Sequence, residues 1–227
     1  MRENTAVLLE EMRGKMSAYA FQFGYYLSNL PVKAEAAALL PISVEVDGQA
    51  VHLEEVAGAG ILDDTHFFFY PVEKKWMPNI EEAILKVHPD YKITHEKIEE
   101  APEDNDEQIV AEVPPVDKDR HQQMKDAVGT FADTCKAQME SNSQLYNSRI
   151  AVSLMGASDD EVKEAKDAAQ QICDWHDDLV KQYRENKEQE IDAAYAAWLE
   201  GNAQKESKQS EQEQAEGEDA MFNMKMS

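Results

Sequence analysis

The sequence predicts an α+β chain: a three-helix bundle with an inserted small β/α/β domain, followed by a disordered acidic C-terminal tail. Three observations predict it. Apolar residues recur every three or four positions over residues 5–30, 117–154 and 159–199, which is the spacing of one helix face. Between the first two stretches the period falls to two, as in half-buried strands. From Gly201, Gln, Glu, Ser and Lys take over, and no core former appears until Met221. Residues 1–36 and 114–200 therefore form the bundle, 37–113 the inserted domain and 201–227 the tail.

The first helix presents Leu8, Met12, Met16, Tyr19, Phe23, Tyr26 and Leu30, with Asn4 or Thr5 as N-cap, and Pro31 ends it. Ile42, Val44 and Val46 then alternate with polar residues, and Asp47-Gly48 signals a hairpin returning along Ala50 to Leu53. Gly58, Gly60, Asp63 and Asp64 read as a turn. His66 to Tyr70 is an aromatic strand, Pro78 to Val87 a short helix, and Tyr91–Thr94 and Ile109–Val113 two further strands. Glu99 to Glu107 holds six acids and no base, the composition of a solvated loop.

Pro114-Pro115 keep any helix from entering the middle segment from upstream, and Gly156 marks its end. Its stripe is Met124, Val128, Phe131, Cys135, Met139, Tyr146, Ile150 and Leu154, with Asn142 the one polar member. At 1.5 Å per residue the rod is about 55 Å long and cannot bury its stripe alone. Ser158-Asp-Asp-Glu161 is a capping box that opens the third helix. That helix carries Val162, Ala165, Ala169, Ile172, His176, Leu179, Tyr183, Ile191, Ala194 and Trp198. A short turn at Gly156 makes the two long helices antiparallel neighbours. The register separates Cys135 from Cys173, so no disulfide is expected, and two stripe cysteines suit a reducing, cytoplasmic compartment.

A net charge of −24 and pI near 4.5 oppose general affinity for nucleic acid, DNA included, or for an anionic membrane, though not one local basic site. No apolar run approaches 18 residues, so no membrane span is expected. Glu3, Glu10 and Glu11 suit neither a signal nor a transit peptide. The chain carries no phosphate-binding Gly loop, nucleophile elbow, Cys-x-x-Cys or His-Glu-x-x-His. Its histidines lack metal-ligand spacing. The expectation is a protein that is not an enzyme and uses no cofactor or metal. His176 reads as a packing histidine, and Asp174, Asp177 and Asp178 as a solvated face. The closing Met221-Phe-Asn-Met-Lys-Met is a candidate docking motif.

Leu39-Leu-Pro-Ile-Ser-Val-Glu-Val-Asp-Gly48, Val56-Ala-Gly, Pro78-Asn-Ile-Glu-Glu-Ala-Ile84, Val113-Pro-Pro-Val-Asp-Lys-Asp-Arg120 and Ser158-Asp-Asp-Glu punctuate the order helix, small β domain, two long antiparallel helices. Together, over roughly residues 10–195, they resemble the ribosome recycling factor family. The resemblance implies a bundle joined by a two-strand hinge to a small lid domain, with the hinge at Val32–Ala38 and Glu112–Val116. It implies binding to the large ribosomal subunit after termination and, with elongation factor G, separation of the subunits. It also implies contact with ribosomal RNA through arginines of the middle helix. Here those positions hold Glu140, Ser143 and Gln144, and only Asn147 matches. Lys33, Lys136 and Arg149 are the remaining basic candidates, so Lys33, Lys136, Asn147 and Arg149 form the expected RNA-contacting set. Residues 117–200 carry 10 Lys and Arg against 18 Asp and Glu. That balance supports an alternative: a protein of this fold whose acidic bundle face binds another protein without recycling activity.

Overall fold

Residues with helical period fold as helices, and the bundle is built where their stripes meet. The computed structural model describes residues 2–99 and 105–225, with 205–225 described as backbone alone. The bundle comprises α1 (Glu3–Ser28), α4 (Lys118–Ser153) and α5 (Asp159–Lys225), each packed on the other two. Asp117 caps α4 by accepting from the Arg120 amide at 2.8 Å. At α5, Ser158 Oγ accepts from the Glu161 amide and Glu161 accepts from the Ser158 amide, so the capping box closes in both directions.

The middle-helix stripe is buried from Met124 to Leu154, apart from half-buried Phe131 beside buried Ala132. Asn142, inside the core, donates to the Met12 carbonyl at 3.3 Å. Unpaired, that amide would cost roughly 1–3 kcal/mol. On α5 the core positions after His176 are Val180 and Lys187 rather than Leu179 and Tyr183: Val180 is 0 % exposed and Tyr183 is 38 %. The stripe steps by four through Ile172, His176 and Val180, which turns Tyr183 outward. Lys187 keeps its aliphatic stem inside and its ammonium on Glu190, 2.9 Å away.

α1 and α5 run parallel, with Ser17 beside His176 and Gly24 beside Tyr183. α4 and α5 run antiparallel, with Ser143 beside Cys173 and Lys125 beside Asp192. By these registers α1 ends near the level of Lys187 and α4 begins near the level of Leu199, while α5 continues to Lys225. Over the stretch from Gly201 expected as a disordered tail, the described backbone continues α5 to Lys225. Its Glu, Gln, Lys and Ala are strong helix formers and no proline interrupts them. The side chains of the Met221-Phe-Asn-Met-Lys-Met motif lie outside the described residues.

A second core lies between Ala34 and Val113. β1 (Ser43–Val46) and β2 (Gln49–His52) form the expected hairpin, with Asp47 at φ 51° and Gly48 at φ 77° as its turn. After a one-turn helix, α2 (Leu53–Val56), comes a four-stranded antiparallel sheet. It consists of β3 (Ala57–Ile61), β4 (His66–Pro71), β5 (Lys92–Lys97) and β6 (Glu107–Glu112), in the order β3-β4-β6-β5, with α3 (Met77–Val87) packed in the same core. β3 corrects the sequence reading, which took Gly58 and Gly60 for turn residues. They are strand positions, and Gly60 is required because a Cβ there would lie 2.6 Å from Cε1 of the cross-strand Phe68 ring. Of the acidic loop expected at Glu99–Glu107, residues 100–104 lie outside the described residues, and Glu107 opens β6.

Two thin connections join the cores, and one turn holds both. The Ala34 amide donates to the Asp64 carbonyl and the Val113 amide to the Thr65 carbonyl, each at 2.7 Å. Asp63 fixes that turn by accepting from the Thr65 and His66 amides at 2.7 and 2.9 Å. On the other side the Arg120 guanidinium meets the Pro31 and Pro114 carbonyls and the Asp90 carboxylate.

Candidate functional site

Positions 136, 140, 143 and 147 fall on one side of α4 because steps of three and four residues return to the same face. In the structure that side borders α5 and opens into a groove of about 810 Å³, with Met16, Met139 and Val180 among its lining residues. Lys136 stands there exposed and has no ion-pair partner among the described residues. Asn147, also exposed, donates to Ser143 Oγ at 3.1 Å. Gln144 donates to Glu140 at 3.4 Å.

The other two expected residues lie elsewhere. Arg149 is turned toward α1 and stacks over Tyr146, 5.3 Å from the ring centroid, while the Tyr146 hydroxyl donates to Glu11 at 3.3 Å. Lys33 is on the first connection, 3.5 Å from Glu35. Lys136 stands 18 residues beyond Lys118 at the α4 N-terminus, roughly 27 Å along the axis. The structure thus brings Lys136 and Asn147 onto one face and leaves Lys33 and Arg149 apart from it.

It also adds two cations that the sequence reading missed. Lys181 and Arg184 of α5 line the same groove. Extending the antiparallel register turn by turn along α5 would have placed them there. Their charge is largely engaged: Arg184 Nε lies 2.8 Å from Glu188 and Lys181 Nζ 3.9 Å from Glu185. Glu140, Asp177 and Asp178 complete the carboxylates of the lining. Three cations thus meet five carboxylates, and an incoming phosphate competes with internal pairs for two of the three.

His176 and Cys135 serve packing. His176 is 1 % exposed, with Nδ1 2.7 Å from the Ile172 carbonyl and Nε2 3.0 Å from Ser17 Oγ. One neutral tautomer satisfies both contacts, by donating to the carbonyl and accepting from the hydroxyl. Burial pushes the Cys135 thiol up to about 11, away from nucleophilic use. Cys173 is a free thiol, 3.4 Å from Ser143 Oγ. Among the described residues no group of His, Cys, Asp and Glu is arranged to hold a metal ion, and no helix is long and apolar enough to cross a membrane.

Against this geometry, known proteins give a consistent answer. Residues 27–191 match the sequence profile of the family described as Ribosome recycling factor. A ribosome-recycling factor of Christiangramia forsetii is 25% identical over 163 residues, covering 69% of this chain and 84% of that protein. That of Flavobacterium psychrophilum is 26% identical over 166 residues, 73% and 82% of the two chains. In fold, the solution structure of a ribosome recycling factor superposes with a TM-score of 0.66 at 18% identity, covering 85% of this chain and 100% of that one. A second solved chain superposes with a TM-score of 0.55 at 22% identity, covering 83% and 98%. It comes from models of the T. thermophilus ribosome recycling factor and the E. coli elongation factor G bound to the E. coli post-termination complex.

Proposed function

The chain belongs to the ribosome recycling factor family, and from that premise we propose that it binds the ribosome after termination and, with an elongation factor G, promotes release of the subunits. The observation that carries this reading is the extent of the family match. Residues 27–191 take in both connections, the entire small core and the long helices through Ile191, so the parts that a two-lobed factor moves are all within it. In this reading the chain works by binding and by lobe rotation, using no catalytic group or cofactor of its own, and it works in the cytoplasm. Lys33, Lys136, Asn147 and Arg149 contact ribosomal RNA of the large subunit, with Lys181 and Arg184 added from α5. Few free cations on an acidic rod make that contact weak and strongly salt-dependent.

A second reading rests on the five carboxylates of the α4–α5 groove. They fit a basic protein partner better than a phosphate backbone, in which case the fold serves as a regulatory binding module without recycling activity. Co-sedimentation with ribosomes across a salt series separates the two. The first reading expects binding whose logarithm falls linearly with the logarithm of salt concentration. No binding even at low salt would reject it and leave the second.

A further inference from the structure

The sheet of the small core has one open edge. β3 is an edge strand and pairs with β4 alone. The Leu62 amide donates to the His66 carbonyl and the Val72 amide to the Val56 carbonyl, which sets the alternation along the pair. Gly58 and Gly60 therefore bond to β4, while Ala57, Ala59 and Ile61 direct their backbone groups outward. The Ala57 amide turns back to the Leu53 carbonyl. The Ala59 and Ile61 amides, and the carbonyls of all three residues, have no hydrogen-bond partner among the described residues.

The opposite edge strand, β5, carries Lys92, Glu96 and Lys97, charges that discourage a further strand from pairing there. β3 reads Ala-Gly-Ala-Gly-Ile and carries none. Ala59 and Ile61 lie across from Phe69 and Phe67, both fully buried, and so stand on the core face of the sheet. Ile61 is nevertheless 46 % exposed. Beside Ala57 and Ala59 lies a groove of about 460 Å³, lined also by Leu39, Leu40, Ile42 and Leu53, with Leu40 68 % exposed. The core thus runs out at β3, where the inward side chains of one more strand would complete it.

We propose that the outer edge of β3 accepts an extended basic segment of a partner protein as an added strand, with alternate apolar side chains entering this groove. Main-chain bonds to Ala59 and Ile61 supply the affinity, and the groove supplies the preference for an apolar residue at every second position. Charge decides the occupant. Residues 34–73, which furnish β3 and the groove, hold eight Asp and Glu and no Lys or Arg. Glu54 is exposed on the groove wall itself. A strand whose outward residues are Lys or Arg meets opposite charge there, and like charge turns acidic strands away. A second copy of the chain is the poorer occupant for the same reason, because two molecules of charge −24 repel.

The test adds a synthetic peptide of alternating valine and arginine, capped at both ends, to the full isotope-labelled chain and follows amide exchange by NMR. In the free protein the Ala59 and Ile61 amides should exchange fast and those of Gly58 and Gly60 slowly; the peptide should slow the first pair. Ala59→Pro removes an outward donor while leaving the β3–β4 bonds in place, and should weaken binding about fivefold, the loss expected for one hydrogen bond. Methylating one alternate set of peptide amides should abolish binding and methylating the other should spare it, a pattern read on the unaltered chain. A valine–glutamate peptide should bind about tenfold more weakly or not at all. Four outcomes would overturn the proposal: no slowing at Ala59 and Ile61, equal effects of the two methylated sets, undiminished binding of the glutamate peptide, or protection of both amides by self-association before any peptide is added.

Discussion

Arg120, in the first turn of α4, donates through Nη2 to the carbonyl of Pro31, just past the end of α1, at 3.0 Å. The same guanidinium donates to the Pro114 carbonyl and meets Asp90 Oδ2 at 3.1 Å. One side chain, 13 % exposed, thus ties both connections to each other and to the small core.

Arg120→Ala should destabilise the protein by about 2–4 kcal/mol, because two carbonyls and a carboxylate lose a charged donor. It should also broaden the distance distribution between spin labels placed on α3 and on α4. Arg120→Lys should recover the Asp90 contact but only part of this effect, since an ammonium cannot reproduce the planar fork. Urea denaturation and pulsed dipolar spectroscopy check the two halves of the expectation.

Gly60→Ala should cost about 1 kcal/mol or more, because its Cβ meets the Phe68 ring edge at 2.6 Å and the ring must move. Pairing it with Phe68→Leu should recover part of the loss. A double-mutant cycle in urea measures the coupling, and additive effects would show that the ring is not the cause.

Acid should loosen the Asp63–His66 turn that holds both connections. The Thr65 amide and then His66 hold the Asp63 carboxyl down at about 2. The folded value lies below the ordinary value of about 3.9 for an unfolded chain, so the stabilisation is complete above that value and is lost as pH falls toward 2. Amide exchange at Ala34 and Val113, both bonded to this turn, should accelerate over that window. Asp63→Asn should remove the pH dependence.

The long middle helix could be read directly because its stripe, its proline stop and its Asp117 cap are all local signals. β3 could not, because Ala57-Gly-Ala-Gly has no apolar alternation and its identity comes from pairing with β4. Lys136 and Asn147 share a face by helical period alone, whereas Arg149, two residues on, turns to Tyr146 and α1. Lys181 and Arg184 could be found only from the α4–α5 register, and the outward turn of Tyr183 only from the step that puts Val180 inside. Local spacing thus fixed the faces, and what each face meets depended on packing between helices.

The groove should behave as a marginal phosphate site. Lys136→Ala, Lys181→Ala and Arg184→Ala should each remove at most about 0.9 from the log–log salt slope of ribosome binding. Lys136, free of internal pairing among the described residues, should have the largest effect. Arg at Glu140, Ser143 and Gln144 together should tighten binding by supplying phosphate forks and removing a carboxylate. Sedimentation at several salt concentrations gives both numbers.

Recycling of ribosomes by this acidic, two-lobed chain is checked by light scattering of post-termination ribosomes mixed with the protein, elongation factor G and GTP. If the proposed function holds, scattering falls as subunits separate, in dependence on both proteins and more slowly with Arg120→Ala. Scattering that stays constant under conditions where the protein co-sediments with ribosomes would contradict it.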